Sequence, residues 1–200
     1  MEEPKIPNWC NNTFKITADK EQIDEFEKFL NDKNGKDWFD FFLPCPSELK
    51  EGGPVGFQDK PNEALIEKYG HSDWYSWSVS NWGCKWNCDA QDWTRDDDNT
   101  LSFWFDSPWG PPTALYDFIS NGDWSVEAQY HEEGMCFVGE YLDGSDDSYE
   151  YSDLDSLDDI PEHIVENWNL REMLEDREDW EEEEEFIDED DEENENGKSS

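Results

Sequence analysis

The chain has 200 residues, of which 14 are lysine or arginine and 55 are aspartate or glutamate, so its formal net charge is −41. A surface this negative repels phosphate backbones and anionic membranes, which disfavours direct nucleic-acid or membrane-surface binding. It should instead attract basic partners, and proteins that bind nucleic acids form an abundant class of basic proteins.

The negative charge increases towards the end of the chain. Residues 1–140 carry 11 basic and 28 acidic side chains, whereas residues 141–200 carry 3 and 27. From Glu178 to Glu195 the only residues that are not acidic are Trp180, Phe186, Ile187 and Asn194. Because this run offers little apolar area to bury, residues 181–200 are predicted to form a disordered acidic tail.

The same composition predicts a cytoplasmic protein. No apolar stretch approaches the ~20 residues that span a bilayer. The first residues, MEEPKIPNWC, lack the basic and apolar segments of a signal peptide. Five cysteines are an odd number, which fits free thiols in a reducing compartment.

The first fifty residues predict a β-α-β unit. Asn12–Thr17 alternates polar and apolar residues as a strand does. Asp19 and Gln22 form a capping-box pattern at the start of a helix, and Asn34-Gly35 ends that helix. Trp38–Leu43 is predicted to be a second strand, which stops at Pro44.

Residues 44–93 are predicted to be an aromatic-rich insertion. The segment Lys50–Lys60 is rich in glycine and proline, which is typical of a loop. Pro61 suits the first position of a short helix. Five tryptophans then fall within Trp74–Trp93, and core packing is favoured over base stacking because few cations flank them.

A second β-α-β unit with one further strand follows. Leu101–Phe105 predicts a strand, and Pro111 and Pro112 open a helix. That helix is predicted to bury Leu115, Phe118 and Ile119. Two more strands are predicted, at Trp124–Tyr130 and Met135–Tyr141. Two β-α-β units predict an α+β ferredoxin-like sandwich over residues 1–142, with its helices on one face of the sheet.

Residues 143–180 are predicted to be an acidic segment with short helices that could dock on the folded domain. Pro161–Trp168 has Ile164 and Trp168 at helical spacing. Leu170, Met173 and Leu174 form a further amphipathic stretch, preceded by a possible cap at Asn169.

Four short motifs resemble a known family. They are Pro7–Asn12 (PNWCNN), Asn81–Trp86 (NWGCKW), Ser107–Pro112 (SPWGPP) and Glu132–Gly139 (EEGMCFVG). In order and spacing over residues 7–142 they resemble the YubB-like ferredoxin-like family, which phages, plasmids and pathogenicity islands carry. The family usually has Thr where Cys84 stands and Asp where Asn87 stands. The resemblance implies a mobile-element origin and a ferredoxin-like fold, and it implies no particular reaction.

Catalytic and metal-binding patterns are weak. Cys84 and Cys88 could supply half of a zinc site, but no second close cysteine pair follows, so free thiols are favoured. None of the three histidines lies in a nucleophile motif. The loop Glu51–Gly56 lacks a phosphate-binding pattern. The sequence therefore predicts a protein that is not an enzyme, with no cofactor and no bound metal.

The charge favours a non-enzymatic inhibitor that mimics DNA and occupies the basic nucleic-acid site of a host defence or nucleic-acid-processing protein. A helix rises ~1.5 Å per residue, so it can space carboxylates much like the charges of duplex DNA, one per ~1.7 Å. The aromatic residues within the acidic run are possible apolar anchors. The candidate partner-binding residues are Glu172, Glu175, Asp176, Glu178, Asp179, Trp180, Glu181, Glu182, Glu183, Glu184, Glu185, Phe186 and Asp188–Glu193.

Two alternatives remain open. One is a small nucleotide-binding or nucleotide-modifying enzyme that uses the Asn81–Trp86 region. The other is an accessory interaction protein whose tail only increases solubility. The candidate residues on the domain surface are Asn81, Trp82, Lys85, Trp86 and Glu132.

Overall fold

The computed structural model describes residues 8–51 and 61–178, which form a mixed α+β structure with one six-stranded antiparallel sheet. The chain divides into two compact units, residues 1–148 and 149–200. The predicted tail at 181–200 lies outside the described residues. No helix within the described ranges is long and apolar enough to cross a membrane.

The sheet has the strand order β2-β3-β1-β4-β5-β6. The strands are β1 Trp9–Thr17, β2 Gln91–Asp97, β3 Thr100–Pro108, β4 Ser125–Glu132, β5 Phe137–Leu142 and β6 Ser145–Glu150. The helices are α1 Lys20–Lys33, α2 Phe39–Phe42, α3 Ser47–Lys50, α4 Glu63–Tyr69, α5 Trp74–Asn81, α6 Thr113–Ser120 and α7 Glu162–Asn167. A 3-10 turn covers Asp155–Asp159, and residues 170–178 are also helical.

Strand β1 is central because both of its edges are paired. Its burial alternates along its length, so Phe14 and Ile16 face the apolar core while Lys15 is exposed. Phe14 lies opposite Phe103 of β3 on one side and Ala128 of β4 on the other. The apolar residues of three strands therefore share one face, as the alternation at Asn12–Thr17 predicts.

Helices α1 and α6 contribute to the same apolar cluster as the sheet. From α1, the Phe26 ring lies 6.1 Å from that of Phe103. From α6, the Tyr116 ring lies 5.3 Å from that of Phe14. Burial of aromatic area of this kind is the main favourable term for a domain of this size.

Helix α1 begins and ends where the sequence predicts. The backbone N–H of Asp19 donates to Gln22 Oε1 at 3.1 Å, and the reciprocal bond of the capping box is also present. At the other end Asn34 has φ 52° and Gly35 has φ 75°, both left-handed. The Gly35 N–H donates to the Leu30 carbonyl, which satisfies one of the last free carbonyls of the helix.

The predicted strand at Trp38–Leu43 is wrong, because this segment contains the short helix α2. Trp38 and Phe39 are adjacent and both fully buried, which an alternating strand at a sheet face does not allow. A continuous apolar run has no period that separates strand from helix.

The prediction for α6 is wrong at one position. Leu115 and Ile119 are buried as predicted, but Phe118 is 49% exposed and Tyr116 is fully buried in its place. Two strands also lie where none was predicted. Strand β2 overlaps the end of the predicted insertion at residues 91–93, and β6 follows β5 directly.

The second unit is described from residue 149 to residue 178. Its regular elements are the 3-10 turn, α7 and the helical residues 170–178. The Arg177 guanidinium donates to the carbonyl of Ser152, which ties the last helix to the start of the unit. Its buried apolar side chains are Tyr151, Leu157, Ile160, Ile164, Val165, Leu170 and Leu174.

Replacing Gly35 with alanine should destabilise the fold by at least about 3 kcal/mol. A Cβ at this position would overlap the Ala90 carbonyl oxygen, and the Ala90 N–H in turn donates to the Gly35 carbonyl at 2.8 Å. The free energy of unfolding, measured with a chemical denaturant, tests this.

Gly70→Ala is the matched control, because Gly70 also has φ +75° but no atom of a non-adjacent described residue lies within 4 Å of the added Cβ. Gly70→Ala should lower the free energy of unfolding by only ~1–2 kcal/mol, which is the cost of placing a non-glycine residue in the left-handed backbone conformation. Equal losses in the two variants would show that the contact with Ala90 is not what requires glycine at position 35.

Candidate functional site

A cavity of about 270 Å³ lies beside α5 in the first unit. It brings together three of the residues that the sequence analysis selected, Trp82, Lys85 and Trp86. The full lining is Cys45, Lys50, Trp74, Ser78, Trp82, Lys85, Trp86 and Asn87. This cavity therefore joins aromatic rings, two cations and small polar groups from three segments of the chain.

Helix α5 supplies one wall of the cavity. Trp74, Ser78 and Trp82 are four residues apart and so share one helix face. The helix begins at Asp73, whose side chain accepts the Ser76 N–H at 3.0 Å. Asp73 thus caps the helix and sets where this wall starts.

Trp82 is held by the core. Its indole N–H donates to the Leu43 carbonyl at 2.9 Å. Its ring lies 5.3 Å from each of the Phe39 and Trp77 rings. The core-packing interpretation is therefore correct for Trp77 and Trp82, and Trp82 also borders the cavity.

Asn87 fixes the loop that carries Lys85 and Trp86. Its Oδ1 accepts the backbone N–H groups of Phe39 at 3.1 Å and Cys88 at 2.9 Å. Its Nδ2 donates to Asp40 Oδ1 at 2.9 Å. An amide is needed here because one group must both accept from the backbone and donate to a carboxylate.

Cys84 and Cys88 converge on a single acceptor. Their sulfur atoms lie 3.2 and 3.7 Å from the Trp86 carbonyl oxygen. Burial raises the pKa of the Cys88 thiol well above its ordinary value, so it stays protonated at neutral pH. Within residues 8–51 and 61–178, no group of three or more His, Cys, Asp or Glu side chains is placed to hold a metal.

Lys85 is positioned by aromatic rings. Its ammonium lies 4.4 Å from the Trp86 ring centre and 5.9 Å from that of Tyr75. Such contacts hold a cation without neutralising its charge. Across the described residues, neither Lys85 nor Lys50 forms an ion pair, whereas Lys15, Lys20, Lys28, Lys68 and Arg95 do.

Ser78 and Cys45 supply the polar groups of the buried wall. The Ser78 side chain is 1% exposed, and its hydroxyl has no nitrogen or oxygen partner among the described residues. Its polar neighbour is the Cys45 thiol, with which it interacts. Burial raises the pKa of Cys45, so this wall carries no negative charge at neutral pH.

Asn81 and Glu132 are not part of this site. Asn81 Nδ2 donates to the Trp77 carbonyl at 2.8 Å, so this side chain serves α5 itself. Glu132 is buried at the end of β4 and accepts the backbone N–H of Met135. Neither residue lines the cavity that Trp82, Lys85 and Trp86 border, and Glu132 is buried rather than on the domain surface.

The acidic candidates are described only up to residue 178. Glu172, Glu175, Asp176 and Glu178 are exposed on the last helix, while Leu170 and Leu174 on its other side are buried. The remaining candidates lie outside the described residues: Asp179, Trp180, Glu181, Glu182, Glu183, Glu184, Glu185, Phe186 and Asp188–Glu193.

Comparison with known proteins assigns no family to the chain. No family model matches it, and no curated protein matches it. Among solved structures, it is similar to the crystal structure of a protein api92 from Yersinia pseudotuberculosis, whose family model is DUF1281. The identity is 14%, the match covers 74% of this chain and 99% of that one, and the TM-score is 0.40. Values this low carry no inference about function.

Sequence reasoning missed five members of the site: Cys45, Lys50, Trp74, Ser78 and Asn87. The four-residue spacing from Trp74 through Ser78 to Trp82 is a signal that could have placed three of the lining residues on one helix face. No local pattern links Lys50 to Lys85, because tertiary packing alone brings α3 and the loop after α5 to the same cavity.

Asn87→Asp should destabilise the protein by roughly 1–3 kcal/mol at pH 7, because it removes a donor and places two carboxylates together. Burial already raises the pKa of Asp40 in the native protein. A carboxyl whose folded pKa is raised favours folding below its unfolded pKa and loses that contribution as pH rises. The destabilisation by Asn87→Asp should therefore shrink at pH 4–5. Denaturant unfolding at both pH values measures it.

Asp40→Asn and Asp123→Asn serve as controls for this pH dependence. The first should remove the contribution of the half-buried carboxyl and flatten the pH profile, since the new side chain does not titrate. Asp123 is exposed, so its replacement should leave the profile nearly unchanged. A loss in Asn87→Asp that is the same at pH 7 and pH 4.5 would contradict the charge-repulsion explanation.

Proposed function

We propose that the protein is a non-enzymatic inhibitor of phage or mobile-element origin that mimics DNA and binds the basic nucleic-acid site of a host protein. The observation that carries this proposal is the exposed carboxylate face of the helix at residues 170–178. The proposed location is the cytoplasm of the bacterial host, and the proposed partner is a defence, replication or transcription protein.

The spacing of the carboxylates supports mimicry. Glu172, Glu175 and Asp176 are three and four residues apart, so they share one face of the helix. With Glu178, four carboxylates fall within seven residues. At ~1.5 Å per residue this is roughly one carboxylate per 2.6 Å, or about one net negative charge per 3.5 Å once Arg177 is counted, which is close to the ~3.4 Å spacing of charges along one DNA strand.

The pairing of cations with carboxylates in the first unit supports a negative electrostatic field around the protein. In the first unit, Arg95 contacts Asp24 and Glu27 at 3.0 and 2.9 Å, and Lys68 contacts Glu48 at 2.7 Å. Cations that are paired in this way do not offer isolated positive charge to a phosphate backbone. Opposite long-range fields would instead speed the encounter with a basic partner.

We also propose that residues 1–142 adopt a ferredoxin-like fold of the YubB-like family. The support is the position of β1 between β3 and β4, with β2 outside β3, as in two interleaved β-α-β units. The shared cluster of α1 and α6 supports helices on one face. Strands β5 and β6 extend this arrangement beyond four strands.

Neutralising the acidic face should weaken partner binding about tenfold or more, because each exposed charge pair contributes ~0.2–1 kcal/mol. The test variant combines Glu172→Gln, Glu175→Gln, Asp176→Asn and Glu178→Gln in the full chain. The measurement is capture of partners from host lysate, followed by release with duplex DNA and with salt.

The matched control removes four exposed carboxylates elsewhere, through Glu21→Gln, Glu25→Gln, Glu67→Gln and Asp123→Asn. It changes net charge equally and should retain the partner. A third variant without residues 179–200 measures what the tail adds. A partner that does not bind DNA, or that duplex DNA fails to displace, would sink the mimic proposal and leave the accessory-protein alternative.

A further inference from the structure

We propose that the cavity beside α5 binds a small planar aromatic anion, with its ring against the tryptophans and its anionic group between Lys50 and Lys85. This inference is independent of the proposed DNA mimicry, because it concerns only the first unit and an opposite sign of charge.

The walls fit a planar ring. Three indoles line one cavity, and Trp86 is 37% exposed, so part of its ring surface is accessible to a ligand. Tyr75 extends the aromatic surface next to Lys85 and is itself exposed. Stacking on such faces contributes ~1–3 kcal/mol per aromatic ring for nucleic-acid bases.

The two cations select a negative group. Lys50 and Lys85 line the same cavity, and within the described part of the chain neither forms an ion pair. The net charge of −41 repels anions at long range. Salt screens that field over ~8 Å at physiological strength, so nearby ammonium groups decide what binds.

The Ser78 hydroxyl is a second and independent indication of a ligand. It is 1% exposed, borders the cavity and has no nitrogen or oxygen partner among the described residues. A buried hydroxyl without a strong partner costs free energy, which a ligand oxygen would recover. The adjacent Cys45 thiol is held neutral by burial, so it does not repel an anion.

The size of the cavity limits the ligand. A volume of about 270 Å³ lies just below the ~300–1,000 Å³ of pockets for drug-sized ligands. One ring system with one anionic group fits this space. Asn87 also lines the cavity, but its amide is committed to Phe39, Cys88 and Asp40, so the loop there is a fixed wall.

Two probe series test the proposal by titration calorimetry on the full chain. The first series consists of indole-3-acetate and two controls, neutral indole, which has only the ring, and acetate, which has only the anionic group. The second consists of adenosine 5′-monophosphate, with adenosine and inorganic phosphate. At least one aromatic anion should bind at least tenfold more tightly than its neutral ring and its ringless anion. Binding in the first series would identify the ligand class as an aromatic carboxylate, and binding in the second would identify it as a nucleotide.

The variants are designed to separate binding from folding. Lys85→Met and Lys50→Met should each weaken binding of the aromatic anion about tenfold and leave the thermal midpoint within a few degrees of the native value. Lys33→Met and Lys36→Met remove exposed lysines that do not border the cavity and should change nothing. Ser78→Ala should weaken binding with little change in stability, because among the described residues its hydroxyl interacts with the Cys45 thiol and has no nitrogen or oxygen partner.

The outcomes are decisive in both directions. Selective binding of either aromatic anion, lost in both lysine variants and kept in the Lys33 and Lys36 controls, supports the site. Absence of binding in both series overturns it. So does equal affinity for the neutral ring or the ringless anion, or equal affinity in the lysine variants. None of these results depends on a host partner, so the proposal can fail while the mimic proposal stands.

Discussion

The turn at Trp38 and Phe39 joins the sheet to the cavity, and most of the first unit depends on it. The Trp38 ring lies 4.9 Å from Phe14 of the central strand, and the Phe39 ring lies 5.3 Å from Trp82 of the cavity wall. The backbone N–H of Trp38 donates to the Cys88 carbonyl at 3.1 Å, and the backbone N–H of Phe39 donates to Asn87 Oδ1. Apolar burial and hydrogen bonds to the backbone thus hold the same short segment in place. A substitution at Asn87 should therefore perturb both the core and the cavity.

The parts of the fold that were predictable are those with a strong local signal. The alternation in β1 and the capping box of α1 each carry a physical cause in adjacent residues. Strand β6 was missed because its residues are nearly all exposed, so its sequence has no alternation of apolar and polar residues to indicate a strand. Asp143-Gly144, with φ 44° and 96°, is nevertheless the two-residue turn that marks a hairpin, and it could have revealed the strand.

The site was only partly predictable for a related reason. Trp82, Lys85 and Trp86 are close in sequence, and the motif Asn81–Trp86 contains all three. Glu132 was selected with them although it is buried at the end of β4, because sequence motifs in different segments give no distance between their residues. The amide at position 87 has a direct structural role, because its Nδ2 donates to the carboxylate of Asp40.

The charge of the chain acts differently on folding and on binding. Self-repulsion among 55 acidic side chains opposes the compact state, and the aromatic core must offset it. Salt screens that repulsion and should favour folding, whereas it weakens attraction between carboxylates and a basic partner. The same screening shortens the range of the unfavourable field around Lys50 and Lys85, so anion binding at the cavity should tolerate salt better than partner binding. Added salt should therefore stabilise the fold, weaken partner binding at the acidic helix face and change anion binding at the aromatic cavity less. These three responses distinguish the three effects of charge.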